Sequence, residues 1–273
     1  MDPARLALAF AVLPWPEREK AGIWEAFQNG GSPLLDQAAA AQFEALDLVR
    51  SREAAAAHQA RLVLPGDEGS SAFFESLPYP VALWVRGTLP PPGPRIAVVG
   101  SRAPSLLGRE RARNWSRQLT EKGLNVISGL ARGIDGAAHG GALEAGPTWG
   151  IMGSGLSHPY PKEHAALMDR MVGSGGGVIT PFPPDALPLK WHFPRRNLLL
   201  AAWTRGVLVI EAKLKSGSLV TAKLALDLGK ELWVVPGSPE DPLSEGPNSL
   251  LREGAARICR SPEDLLEDLA ELI

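Results

Sequence analysis

Apolar residues along the first 64 positions recur in short Ala- and Leu-rich stretches: Leu6 to Leu13, Ile23 to Phe27, Ala38 to Leu48 and Ala54 to Leu64. Breaks fall at Pro14, Pro16, Asn29-Gly30-Gly31 and Ser51, which predicts short helices joined by turns and a small helical domain over 1–64. Residues 65–94 are punctuated by Pro65, Gly66, Pro78, Pro80 and the prolines from Pro90 to Pro94, and read as a linker with one edge strand at 82–85. From Arg95 the pattern becomes alternating strand and helix, which continues into a single unit over 95–273. Expected strands are 95–100, 125–127, 149–152, 177–180, 207–210, 231–235 and the short 257–258. Expected helices are 105–122, 134–145, 161–172, 195–204 and 217–228, then a short helix after 247 and a last one opened by Ser261-Pro262. Unbroken apolar strands suit burial on both faces, and strand–helix units of this length need crossovers. The fold class is therefore α/β: an extended Rossmann-like, doubly wound, mostly parallel sheet preceded by a small all-helical domain.

Composition narrows the function classes. At 45% hydrophobic, the 273 residues can bury a core, and the 29 glycines and 25 prolines together stay below the share of roughly 25–30% that marks low-complexity disorder. No apolar run reaches the roughly 18 residues of a membrane span. Asp2 precedes Arg5, so the start lacks the basic region of a signal peptide, and the expected location is cytoplasmic. A single cysteine, Cys259, excludes an internal disulfide and a CxxC metal cluster.

The formal net charge of −2 conceals a division. Residues 1–94 carry 7 basic and 11 acidic side chains, residues 95–231 carry 18 and 10, and residues 232–273 carry 3 and 9. The middle of the chain is thus a +8 segment between flanks of −4 and −6, a distribution that favours a polyanionic partner.

In an open parallel sheet ligands bind at the carboxyl ends of the strands, near the switch point. The first such end is Gly100-Ser101-Arg102, and the second is Gly129-Leu-Ala-Arg132-Gly133 with Asp135 and His139 following. Lys162 follows the third, beyond Tyr160. Phe193-Pro194-Arg195-Arg196 opens the helix after the fourth, and Lys215-Ser216-Gly217 follows the fifth, after Glu211 and Lys213. Small residues at helix N-termini offer backbone N–H groups to anions. Five basic strand ends on one edge suggest an extended polyanion or a large nucleotide. Aromatic faces for base stacking are available at Tyr160, Phe182 and Phe193. GxxxxGK[ST], HExxH and GxSxG are missing, which removes P-loop, zincin and α/β-hydrolase readings.

At these residues the chain resembles the DprA/Smf (DNA-processing protein A) family. The blocks are IAVVGSR (96–102), VISGLARGIDGAAHGGALEAG (126–146), GSGLSHPYP (153–161), FPRRNLLLA (193–201), VIEAKLKSGSLVTAKLALDLGKELWVVPG (209–237) and GPNSLLREGA (246–255). The resemblance implies a Rossmann domain that binds single-stranded DNA without catalysis, cofactor or metal. It implies RecA loading onto incoming strands in natural transformation, a homodimer, and single-strand-binding protein as a further partner. By position it implies DNA contacts at Gly100, Ser101, Arg102, Gly129, Arg132, Gly133, Lys162, Phe193, Arg195, Arg196, Lys215 and Gly217, and a dimer surface at Asn248, Leu250 and Leu251. The helical 1–64 stretch is similar in character to the family's sterile-alpha-motif-like domain. Gly140, Thr180-Pro181 and Leu198 depart from the family pattern and predict a less basic groove. The winged-helix domain that many members carry at the C-terminus is not expected before Ile273.

A competing reading is a nucleotide-acting hydrolase, similar to phosphoribohydrolases, with Asp135, Glu211 and His139 as its reactive groups. The PGGxGTxxE block those enzymes carry is not found.

Overall fold

The computed structural model describes residues 2–13, 17–30 and 37–271. Four helices open the chain: α1 (Pro3–Val12), α2 (Glu17–Gln28), α3 (Gln37–Glu44) and α4 (Leu48–Ala57). They are followed by β1 (Arg61–Val63), the short α5 (Ser71–Phe74) and β2 (Leu83–Gly87). The alternating part comprises β3 (Arg95–Val99), α6 (Leu106–Glu121), β4 (Asn125–Ser128), α7 (Ile134–Ala142), β5 (Trp149–Ile151), α8 (Ala165–Gly173) and β6 (Gly177–Thr180). It continues with α9 (His192–Ala202), β7 (Gly206–Val209), α10 (Gly217–Asp227), β8 (Glu231–Val234), α11 (Glu245–Arg252), β9 (Arg257–Ile258) and α12 (Pro262–Glu271).

These strands form a sheet in the order β1-β2-β6-β5-β4-β3-β7-β8-β9. From β6 to β9 every pairing is parallel, whereas β2 joins β6, and β1 joins β2, in antiparallel register. The chain runs outward from β3 through β4, β5 and β6, then returns to place β7 on the other side of β3. The switch point therefore lies between β3 and β7.

Alternation along each strand divides the core. Ile96, Val98, Val126 and Leu208 face the α6–α7–α12 layer with Trp115, Ala138 and Leu265. Ala97, Val99, Ile127, Val207 and Val209 face the α9–α10 layer with Leu199, Leu200 and Ala222. Helix α6 forms where Ser105 caps it, its hydroxyl accepting from Gly108 N at 2.9 Å, and where Ala112, Trp115, Ser116 and Leu119 make a buried stripe.

Two sequence expectations change. The last residues of the helical stretch, 61–63, are extended as β1, and the strand expected near 82–85 is not an edge, because β1 covers its outer side. The N-terminal helices are also built into the body of the protein. Leu6 to Phe10 of α1 are fully buried, Ala7 and Leu8 join the main core, and Ala7 O accepts from Ala82 N at 3.0 Å. The breaks expected at Pro14, Pro16 and Gly31 lie outside the described residues.

Candidate functional site

The carboxyl ends of β3, β4 and β7 and the start of α9 enclose a cleft of about 520 Å³ at the switch point. Its wall includes Ser101, Arg102, Ala131, Asp135, Phe193, Arg196, Lys213, Lys215, Gly217 and Thr221.

The turn after β3 is fixed by backbone and by one carboxylate. Ser101 N donates to Glu211 O at 2.6 Å, and Ser101 O accepts from Ile134 N at 3.1 Å. A Cβ on Gly100 would stand 2.6 Å from Ile134 Cγ1 and 2.9 Å from Glu211 O, so only glycine lets the three chain segments meet. The glycine of this turn thus serves packing, and the turn projects Arg102, which is exposed. The Arg102 guanidinium lies over the Phe193 ring at 5.6 Å from its centroid, a cation–π contact that keeps it at the cleft mouth.

Beneath the turn after β4, Arg196 is buried. Its guanidinium donates to Gly129 O and, at 2.6 Å, to Ile151 O. A Cβ on Gly129 would collide with this guanidinium and with the Asp135 carboxyl, so Gly129 makes room for both buried groups. Burial pushes the Asp135 carboxyl up, with nearby Arg196 opposing, and burial draws Arg196 down to about 10. The Arg196 Nε is buried without a hydrogen-bond partner, which is costly. Gly133 takes φ +77°, and a Cβ there would collide with Ser101 O.

Beyond the cleft, Arg132 is exposed and ion-paired with Glu163, whose carboxyl this partner holds down at about 2. Arg102, Arg132, Tyr160, Phe193 and Arg196 line a smaller recess continuous with the cleft through shared residues. There Tyr160 and Phe193 meet edge to face at 5.6 Å.

The structure brings Gly100, Ser101, Arg102, Gly129, Arg132, Gly133, Phe193, Arg196, Lys215 and Gly217 to one edge. It separates others. Arg195 turns the opposite way from Arg196 and is buried against α1, donating to Phe10 O and, at 3.4 Å, to Ala11 O. Lys162 is exposed on a turn beyond β5 and lies outside the cleft wall. Phe182 is 1% exposed, so it cannot offer a face for stacking. Asn197 and Thr221 on the cleft wall were passed over by the sequence reading, while Lys213 and Ser218, also on the wall, were read at the fifth strand end but not counted among the contacts. The stretch Lys213-Leu-Lys215-Ser-Gly-Ser held the signal for both, since alternate basic residues leave a strand end together with a capped helix start.

The three groups of the hydrolase reading do not converge. Glu211 accepts from Ser105 N at 2.9 Å and from Ser105 Oγ at 2.5 Å. His139 is fully buried, with Nδ1 2.9 Å from Thr148 Oγ1. Asp135 is occupied beneath Gly129.

Asn248 sits on α11 with its amide bonded to both backbone groups of Gly237, at 3.3 and 3.0 Å, while Leu250 and Leu251 are half-buried against the main core. No described helix is long and apolar enough to cross a membrane, and no cluster of three or more His, Cys, Asp or Glu suited to a metal occurs among the described residues.

Comparison with known proteins agrees with this fold. The family model of DNA recombination-mediator protein A matches residues 67–270. Protein Smf of Escherichia coli is 44% identical over 193 residues, covering 70% of this chain and 51% of that protein. DNA processing protein DprA of Bacillus subtilis is 40% identical over 195 residues, covering 70% of this chain and 65% of that protein. The chain thus spans about half to two-thirds of the length of these relatives. The crystal structure of DNA processing protein A from Streptococcus pneumoniae superposes with a TM-score of 0.79 at 30% identity, over 96% of this chain and 95% of that one. A structure of DNA processing protein A from Helicobacter pylori, described for its single-stranded DNA binding mode, gives 0.69 at 26% identity over 78% and 96%.

Proposed function

The chain belongs to the DNA recombination-mediator protein A family, and from that premise we propose that it binds single-stranded DNA across the switch-point cleft as a recombination mediator. The observation that carries this reading is the set of exposed cations Arg102, Lys213 and Lys215 on the wall of one cleft, together with the buried Arg196. Cations set side by side along a cleft suit successive phosphates of a chain. Tyr160 and Phe193 supply faces for bases beside them, which gives binding without sequence readout.

The wider role belongs to the same proposal: loading of RecA onto incoming strands in natural transformation, in the cytoplasm, by a homodimer that uses α11 near Leu250 and Leu251, with single-strand-binding protein as a further partner. The dimer would set two clefts on one strand and raise avidity. Asn248 supports α11 from within by clamping Gly237. The reading makes the chain a binding protein that needs no cofactor, and the engagement of Glu211, His139 and Asp135 in the fold supports it over the hydrolase.

The test is a gel-shift series with single- and double-stranded oligonucleotides at several salt concentrations. Each phosphate neutralised on a single strand contributes about 0.7 to the slope of log affinity against log salt. Arg102→Ala should weaken binding to oligo(dT) and flatten that slope by about 0.7. Unchanged affinity and slope would remove the phosphate site from this cleft.

A further inference from the structure

The loop between β6 and α9 holds an aromatic feature that the cleft does not use. Trp191 is 55% exposed, and no other tryptophan among the described residues is more than half exposed. Leu187 and Leu189, just before it, are exposed as well, at 58% and 44%, so the loop presents an apolar stretch to solvent of the kind that marks a ligand or partner contact.

The ring is held in place. It meets His192 at 4.1 Å and Phe182 at 6.0 Å, both edge to face. Phe182 and His192 are themselves buried and stacked at 3.8 Å, and the Arg195 guanidinium lies 5.6 Å from the Phe182 centroid. The loop is pinned to the segment after β5 as well: Gly155 N donates to Ala186 O at 2.8 Å and Ser157 N to Pro184 O at 3.0 Å. A prearranged aromatic face costs little ordering entropy when a ligand lands on it.

Its position identifies the ligand. Along the carboxyl edge the sheet runs β7, β3, β4, β5, β6, so the cations of the cleft at β7 and β3 are followed by Tyr160 beyond β5 and by Trp191 beyond β6. Phe193, two residues after Trp191, already lines the cleft. Lys190, beside it, is exposed and brings a cation to the same turn.

We propose that Trp191 is an outer nucleobase platform, which extends the single-stranded DNA track from the cleft past the end of β6. This rests on the proposed single-stranded DNA reading of the cleft. A strand long enough to leave the cleft along the β5 and β6 ends stacks a base on Trp191 while Lys190 meets a phosphate. A short strand fills the cleft without reaching it.

The test uses the full chain with oligo(dT) of increasing length. Trp191→Ala should bind the shortest oligonucleotides like the parent protein and lose about tenfold in affinity for long ones, within the range of one lost stacking contact. Trp191→Phe, which keeps a face, should retain most of the long-strand affinity. Long oligo(dT) should quench tryptophan emission in the parent protein, and the quench should shrink in Trp191→Phe. Equal binding of Trp191→Ala and the parent protein at every length, with Arg102→Ala impaired, would overturn the platform and leave the cleft reading intact. Unimpaired Arg102→Ala would overturn the cleft reading instead, and the platform with it. A fall in the solution mass of Trp191→Ala without DNA, at unchanged affinity, would also overturn the platform and assign the ring to a contact between copies.

Discussion

The Glu211 carboxylate holds Ser105 with both of its oxygens, accepting from the backbone N–H at 2.9 Å and from the hydroxyl at 2.5 Å. This contact closes the switch point, because Glu211 follows β7 and Ser105 caps the helix after β3. An acid buried beside a basic cleft would by charge alone repel DNA, so its removal separates two roles by sign. Glu211→Ala should lower affinity for single-stranded DNA, since the turn carrying Arg102 loses its anchor, and should cost about 1–3 kcal/mol of stability through the unpaired groups of Ser105. Thermal melts and binding isotherms on the same preparation check both. A rise in affinity would show that charge outweighs positioning.

Arg195 and Arg196 are neighbours on α9 with opposite duties. The bonds from Arg195 to Phe10 O and Ala11 O satisfy carbonyls at the end of α1, where a cation is also favoured by the helix dipole. Arg195→Ala should lower the stability of the whole chain by about 1.5–3 kcal/mol, while the folded variant keeps its affinity for oligo(dT) well below its melting temperature. Denaturant titration and gel shift distinguish the two effects. A DNA-specific loss at full stability would return Arg195 to the interface.

This pair also marks how far the sequence could be read. The order of strands and helices from Arg95 onward was legible because each strand is a continuous apolar run and each helix has an apolar stripe. The glycines at strand ends correctly located the edge, although Gly100 and Gly129 serve close packing. Direction was not legible: two adjacent arginines leave a helix about 100° apart, and only the packed neighbours decide which reaches the cleft. The strand β1 and the inner place of β2 were obscured for a different reason. β1 is three residues long and exists through antiparallel pairing with β2, and β2 is held inside the sheet by antiparallel pairing with β6, almost a hundred residues later along the chain, where no local periodicity records it.

Arg132, on the wall of the recess, forms an exposed ion pair with Glu163. Glu163 competes there with phosphate for the guanidinium, and its carboxyl, held at about 2, stays charged through the neutral range. Glu163→Gln should therefore raise affinity for single-stranded DNA by a few-fold at low salt, with the gain shrinking as salt screens the charge. Titration at low and high ionic strength checks this. An unchanged or weakened affinity at low salt would take Arg132 off the DNA track.

His139 makes the fold sensitive to acid. It is fully buried, its Nδ1 pairs with the Thr148 hydroxyl, which itself donates to Val126 O at 2.8 Å, and its Nε2 has no partner. Burial first, then the neighbouring His164 and Arg196, pulls its pKa from 6.5 down to about 3. In the unfolded chain the ring takes a proton below about 6.5, which the native state refuses until about 3. The unfolded state therefore binds more protons in that window, and stability falls with falling pH by up to about 1.4 kcal/mol per unit. His139→Gln carries a constant cost from the changed contact with Thr148 but removes this slope. The stability gap between parent and variant should narrow steadily from about pH 6.5 toward pH 3 and stay flat above it. A gap that does not change across the window would mean that His139 is protonated in the native protein, with the Thr148 pairing reorganised around it.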